Sequence, residues 1–146
     1  ILMLIFGMLA IGFALEQTGA IKLLVHGVVA VSDTLGPVGL LVVIYGLTTI
    51  LTEFMSNNAA AILLTPIAIR VAHGAGLDPK PFVVAVMLAG SASFATPIGY
   101  QTNTFVYQAG GYRFTDFLRI GLPMNLLALL VSIVLIPRFW PLQPGG

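Results

Sequence analysis

SASFATPIGYQTNT, residues 91–104, is a polar, helix-breaking run set inside a chain that is otherwise almost continuously apolar. Pro97 has no N–H to give and crowds the preceding turn, and Gly99 frees the backbone further. Ser93, Thr96, Thr102, Asn103 and Thr104 place short polar side chains on both sides of the break. In hydrocarbon such a run is costly unless its backbone groups find partners or line a cavity. A second polar knot lies upstream, where Thr52, Glu53, Ser56, Asn57 and Asn58 interrupt another apolar stretch. Two such interruptions in one small membrane segment point to a binding site at mid-membrane depth.

Composition fixes the solvent in which these knots are read. The chain has 146 residues, 58% hydrophobic and only 8% charged, with a mean hydropathy of +1.05, whereas a soluble domain carries about 25% charged residues. The bilayer is therefore the solvent. Six Lys and Arg against five Asp and Glu leave a formal charge of +1, which provides no basic face for nucleic acid. The absence of cysteine excludes disulfides, thiolate zinc sites and cysteine nucleophiles. The chain starts in mid-run with no basic segment before Lys22, so it does not read as a signal peptide, and it is expected to be a piece of a longer protein.

Outward from the two knots, residues 1–15 form an apolar run short of the roughly 20 needed to span, expected as a partial transmembrane helix. Residues 21–31 place Lys22 and His26 on one helix face and read as an interfacial or partial helix. A turn follows at 32–37, with Asp33 or Thr34 able to cap the next helix. Residues 38–72 hold two apolar arms around the Glu53–Asn58 knot. An arm of 14 residues covers only about 21 Å of a core about 30 Å thick, so the pair suits a re-entrant hairpin, with one span followed by a short loop as the rival. Residues 81–110 are expected as a broken transmembrane helix and 117–140 as the last span, with Trp140 at headgroup level. Arg70 and Lys80 in one loop against Arg113 and Arg119 in the next leave orientation open.

A helix starting after Ser56, Asn57 and Asn58 aims unpaired N–H groups and the positive end of its dipole at the knot, an anion site that needs no buried Lys or Arg. At 96–99 the break exposes carbonyls able to ring a small cation such as Na⁺, and Thr102 or Asn103 can cap the half-helix that follows. Structural readings stand beside these. Ser and Thr in membrane helices commonly bond back to their own backbone, Asn is common interhelical glue, and Glu53 either orders the hairpin or titrates during transport. His26 and His73 have no second ligand at metal spacing and read as interfacial or loop residues.

SNNAAA at 56–61 followed by TPI at 65–67 resembles the Ser-Asn-Thr hairpin signature of the divalent anion/sodium symporters, SLC13-type permeases of the citrate-transporter-like ion transporter superfamily. TPIGYQTN at 96–103, FVYQAGGY at 105–112 and FTDFLRIGLP at 114–123 are similar to the broken-helix loop and following segment of that family's second half. The resemblance covers about 1–140.

It implies an all-α membrane protein built from two inverted repeats, of which this chain is the C-terminal one, with a re-entrant helical hairpin and a broken transmembrane helix. By position, Ser56, Asn57 and Asn58 form the hairpin tip, and Thr96, Pro97, Gly99 and Asn103 form the unwound loop facing it. The anion is then expected at Ser56, Asn57, Asn58, Thr102 and Asn103. The coupling Na⁺ is expected at Ser56, Asn58, Thr96, Pro97, Gly99 and Asn103, partly through backbone carbonyls. Asn58 stands where dicarboxylate carriers usually have Thr, which favours sulfate or another inorganic oxyanion at least as much as a dicarboxylate.

The expected function is Na⁺-coupled symport of a small divalent anion by a multi-pass protein of a plasma or bacterial inner membrane. The expected partners are the lipid bilayer, the N-terminal half of the same transporter and, in a homodimer, a second copy. Nucleic acid and organic cofactors are not expected. The alternatives are a Na⁺/H⁺ antiporter or arsenite-type permease with Glu53 as the titrating group, and a structural membrane subunit. An intramembrane enzyme is disfavoured, since no Ser/His, paired Asp or zinc-ligand arrangement lies at the knots.

Overall fold

The computed structural model of the chain describes residues 34–143, together with Ala14 and residues 17–19. The expectations for 1–15 and 21–31 therefore fall outside the described residues, apart from Ala14. Within them the fold is all-helical: α1 (Pro37–Thr52), α2 (Asn57–Gly74), α3 (Pro79–Gly90), α4 (Gln101–Ala109) and α5 (Phe114–Phe139).

Each boundary has a local cause. At α1, Gly36 takes the cap position and Pro37 supplies the fixed φ of the first turn, while Asp33, one of the two cap candidates, lies outside the described residues. Ser56 caps α2 by accepting from the Ala59 N–H at 3.2 Å. The far end of α2 closes with Gly76 at φ +68. There the Gly76 N–H donates to His73 O and the Leu77 N–H to Ala72 O, a Schellman stop that buries Leu77. Asp78 then caps α3 through the Lys80 N–H at 2.9 Å. The Asp116 carboxylate accepts from the Arg113 N–H at 2.8 Å where α5 begins.

The core sits where α3 packs against α1 and α2, with α5 laid across α1 and α3. Small residues allow the helices to approach closely: Ala60, Ala68 and Ala72 on α2, and Ala85 and Ala89 on α3, are all buried. Leu40, Leu41, Ile44 and Phe82 fill the remaining space. Thr48 and Thr49 return their hydroxyls to Ile44 O and Tyr45 O, so these two polar groups enter the core already satisfied.

Lengths separate the helices into two kinds. The 26 residues of α5 extend about 39 Å, and among the described residues it is the one helix long and apolar enough to cross a membrane. The 12 residues of α3 and 9 of α4 cover about 18 and 14 Å, each short of a core about 30 Å thick. Chain breaks at 53–56 and 91–100 account for the shortness, and the two breaks meet through Glu53.

Candidate functional site

Glu53 follows the last residue of α1 and is buried, only 5% exposed. Its carboxylate reaches across the fold to the second break. Oε1 accepts from the Ala95 N–H at 2.9 Å and from Asn125 Nδ2 at 2.8 Å. Oε2 accepts from the Thr96 N–H at 2.9 Å, from Thr96 Oγ1 at 2.8 Å and, weakly, from Ser93 Oγ at 3.5 Å. All five donors are neutral. A carboxylate removed from water loses its hydration, and this ring of donors replaces it, each such bond to a charged group contributing about 1.5–3 kcal/mol. By these contacts Glu53 ties the turn after α1 to the loop at 93–96 and to α5.

The neighbouring threonine joins the same two segments. Thr52 Oγ1 lies 2.8 Å from both Asn57 Oδ1 and Gly90 O, linking the end of α1 to the start of α2 and the end of α3. Ser93 Oγ is 3.3 Å from Thr52 O.

The second break is fixed from within as well. The Gly99 N–H donates to Thr96 Oγ1 at 3.0 Å, and Thr104 Oγ1 donates to Pro97 O at 2.8 Å. Asn103 Nδ2 donates to Ser93 O at 2.9 Å and to Thr96 O at 3.2 Å. Gly99 owes its identity to proximity: a Cβ there would overlap Ser93 Oγ and stand 3.1 Å from the Cα and Oε2 of Glu53.

The helix after the break starts at Gln101 with Tyr100 as its cap residue and no side-chain cap bond. Thr102 and Asn103 thus lie inside α4 and do not cap it, contrary to the expectation from sequence. Asn103 turns its amide nitrogen back onto the loop carbonyls of Ser93 and Thr96.

The residues singled out from the sequence divide into an inner and an outer group. Thr96, Pro97 and Gly99 are buried beside Glu53, and Asn57 and Asn103 are half-buried at the edge of the cluster. Ser56, Asn58 and Thr102 are exposed on the outer side of the breaks. The side chains of Asn58 and Thr102 make no hydrogen bond among the described residues, and the Asn57 amide is engaged only through Oδ1. The arrangement is a rigid inner scaffold carrying an outer rim of neutral donors and acceptors, together with the first N–H groups of α2.

The citrate transporter family model matches residues 1–142. The chain belongs to the citrate transporter family. An uncharacterized transporter of Synechocystis sp. is 41% identical to the chain over 144 residues, 99% of the chain and 24% of that protein. An uncharacterized transporter of Escherichia coli is 36% identical over 140 residues, 96% of the chain and 23% of that protein. Sodium/sulfate cotransporter 1 of Chlamydomonas reinhardtii is 36% identical over 120 residues, 82% of the chain and 14% of that protein. The chain thus spans about a quarter of the length of the first of these relatives. The family is one of membrane transporters.

Two members of this cluster were not singled out in the sequence. Asn125 is one polar side chain in the apolar α5, and its bond to Glu53 spans 72 positions. Gly121, one turn earlier, packs so closely that a Cβ would overlap the carbonyl of Phe94. The interval of four residues between them on a long apolar helix is the one sequence signal that both face inward.

Proposed function

We propose that the chain is the C-terminal inverted repeat of a secondary active transporter that couples Na⁺ to the import of a small divalent anion, sulfate before a dicarboxylate. The observation that carries this reading is the single carboxylate of Glu53 shared by two chain breaks, which holds an unwound loop against a helical turn. The names of the Chlamydomonas relatives, sodium/sulfate cotransporters 1 and 2, support the ion and the substrate.

In this reading α1 and α2 form a re-entrant hairpin with Ser56, Asn57 and Asn58 at its tip. The anion meets Ser56, Asn57 and Asn58 at the start of α2 and Thr102 and Asn103 across from them. Free N–H groups and the positive dipole end favour an oxyanion there. The Na⁺ takes oxygens from Ser56, Asn58 and Asn103 and from the backbone around Thr96, Pro97 and Gly99. A carbonyl already accepting one hydrogen bond, as at Thr96 and Pro97, keeps a second lone pair for a cation. The remaining walls come from the N-terminal half of the same transporter, and the whole is a homodimer in the lipid bilayer.

The test is uptake of radiolabelled sulfate by the full-length transporter in liposomes, with external Na⁺ replaced by choline. Uptake that collapses on the exchange supports the reading; uptake unchanged by it removes Na⁺ coupling.

A further inference from the structure

Asn125 stands outside both polar interruptions, yet it holds the group that joins them. It is 91% buried on α5, being 9% exposed, and its Nδ2 lies 2.8 Å from Glu53 Oε1. Its own Oδ1 is buried without a partner among the described residues. Packing alone is better served at such a place by leucine, which leaves no acceptor unpaired, so the amide is explained by what its N–H groups do.

What they do is fix one edge of the carboxylate. Oε1 has two donors, the Ala95 N–H and Asn125 Nδ2. With Asn125 removed, that oxygen keeps only the loop's own amide, and no hydrogen bond from a third element holds the carboxylate in place. The consequences run through Thr96, whose N–H and hydroxyl bind Oε2, to Gly99, which binds Thr96 Oγ1, and to Asn103, which binds Thr96 O. Gly121, one turn before Asn125, sets its backbone against Phe94 and Ala95, so α5 grips the carboxylate and the loop at adjacent turns. None of these contacts reaches the outer residues Ser56, Asn58 or Thr102.

We propose that Asn125 is a positioning residue for the cation site: through Glu53 it sets the spacing of the 93–99 oxygens, and so the affinity for Na⁺, without touching either ligand. This inference rests on the Na⁺-symport reading above.

The experiment measures radiolabelled sulfate uptake by the full-length transporter in liposomes, against Na⁺ at fixed sulfate and against sulfate at saturating Na⁺. The variants are Asn125→Leu and the smaller Asn125→Ala, which serves if the leucine variant does not accumulate. The expected result is a rise of about tenfold in the Na⁺ half-saturation, the scale of one lost hydrogen bond to a charged group, with the sulfate KM at saturating Na⁺ moved by less, since Asn103 is the one anion-site residue that the relay reaches. Wild-type uptake that is absent or indifferent to Na⁺ overturns the proposed function and this inference with it. Na⁺-driven wild-type uptake with an unmoved Na⁺ half-saturation in the variants, or with the sulfate KM moved equally, overturns the inference alone.

Discussion

Glu53 and Thr96, 43 positions apart, are joined by three hydrogen bonds. The Thr96 N–H lies 2.9 Å and its hydroxyl 2.8 Å from Glu53 Oε2, and the same hydroxyl is 3.1 Å from the Glu53 carbonyl. The hydroxyl has one proton to share between the two acceptors, and it accepts in turn from the Gly99 N–H. Two places where helices stop are thereby made into one body.

Glu53→Gln replaces one acceptor oxygen with a donor amide that must face other donors, at a cost of about 1–3 kcal/mol for each buried group left unsatisfied. We expect protein that reaches the membrane but has sulfate uptake below a tenth of wild type, and an apparent Tm several degrees lower. Uptake normalised to surface protein and a thermal scan in detergent check both.

Gly99→Ala drives a methyl group into Ser93 Oγ and against Glu53. Uptake is expected to fall by about tenfold or more, since overpacking a fixed site costs about 1–3 kcal/mol. Removing the obstructing hydroxyl with Ser93→Ala in the same protein is expected to restore part of the loss. A double variant no better than Gly99→Ala would show that the clash lies elsewhere.

Two glycines in helices give opposite expectations. A Cβ at Gly121 overlaps the Phe94 carbonyl, whereas one at Gly46 meets nothing within 4 Å. Gly121→Ala is expected to lower the apparent Tm through about 1–3 kcal/mol of overpacking. Gly46→Ala is expected to leave it unchanged or raise it, because alanine favours a helix interior by up to about 1 kcal/mol.

Two buried threonines on α1 make a similar pair. Thr52→Val leaves Asn57 Oδ1 and Gly90 O without their donor and separates the ends of three helices, for a loss of about 1–3 kcal/mol. Thr48→Val removes only a bond back to Ile44 O in the same helix and is expected to be close to neutral. Thermal scans of the two variants side by side test the difference.

The polar interruptions were legible because polar side chains stand out in an apolar chain, and proline and glycine mark where helical bonding fails. Helices in the 38–72 and 117–140 stretches follow from the same apolar runs. Periodicity said nothing of which segments meet, since 52–53, 90–96 and 125 come together across 38 to 72 positions. The cap expected from Thr102 or Asn103 failed because the helix begins earlier, at Gln101, and the Asn103 amide nitrogen binds Ser93 O and Thr96 O, partners that exist only once the loop has folded back. Asn125 and Gly121 carried too little local signal: one polar residue and one small residue in a long apolar helix are ordinary in membranes.

The direct test of the account is amide hydrogen exchange over residues 93–98 of the full-length transporter, comparing wild type with Glu53→Gln. Amides bonded to a buried carboxylate open only when the two breaks separate, so those of Ala95 and Thr96 are expected to exchange slowly in wild type and about tenfold or more faster in the variant. Equal exchange in the two proteins would contradict the claim that the Glu53 carboxylate holds the breaks together.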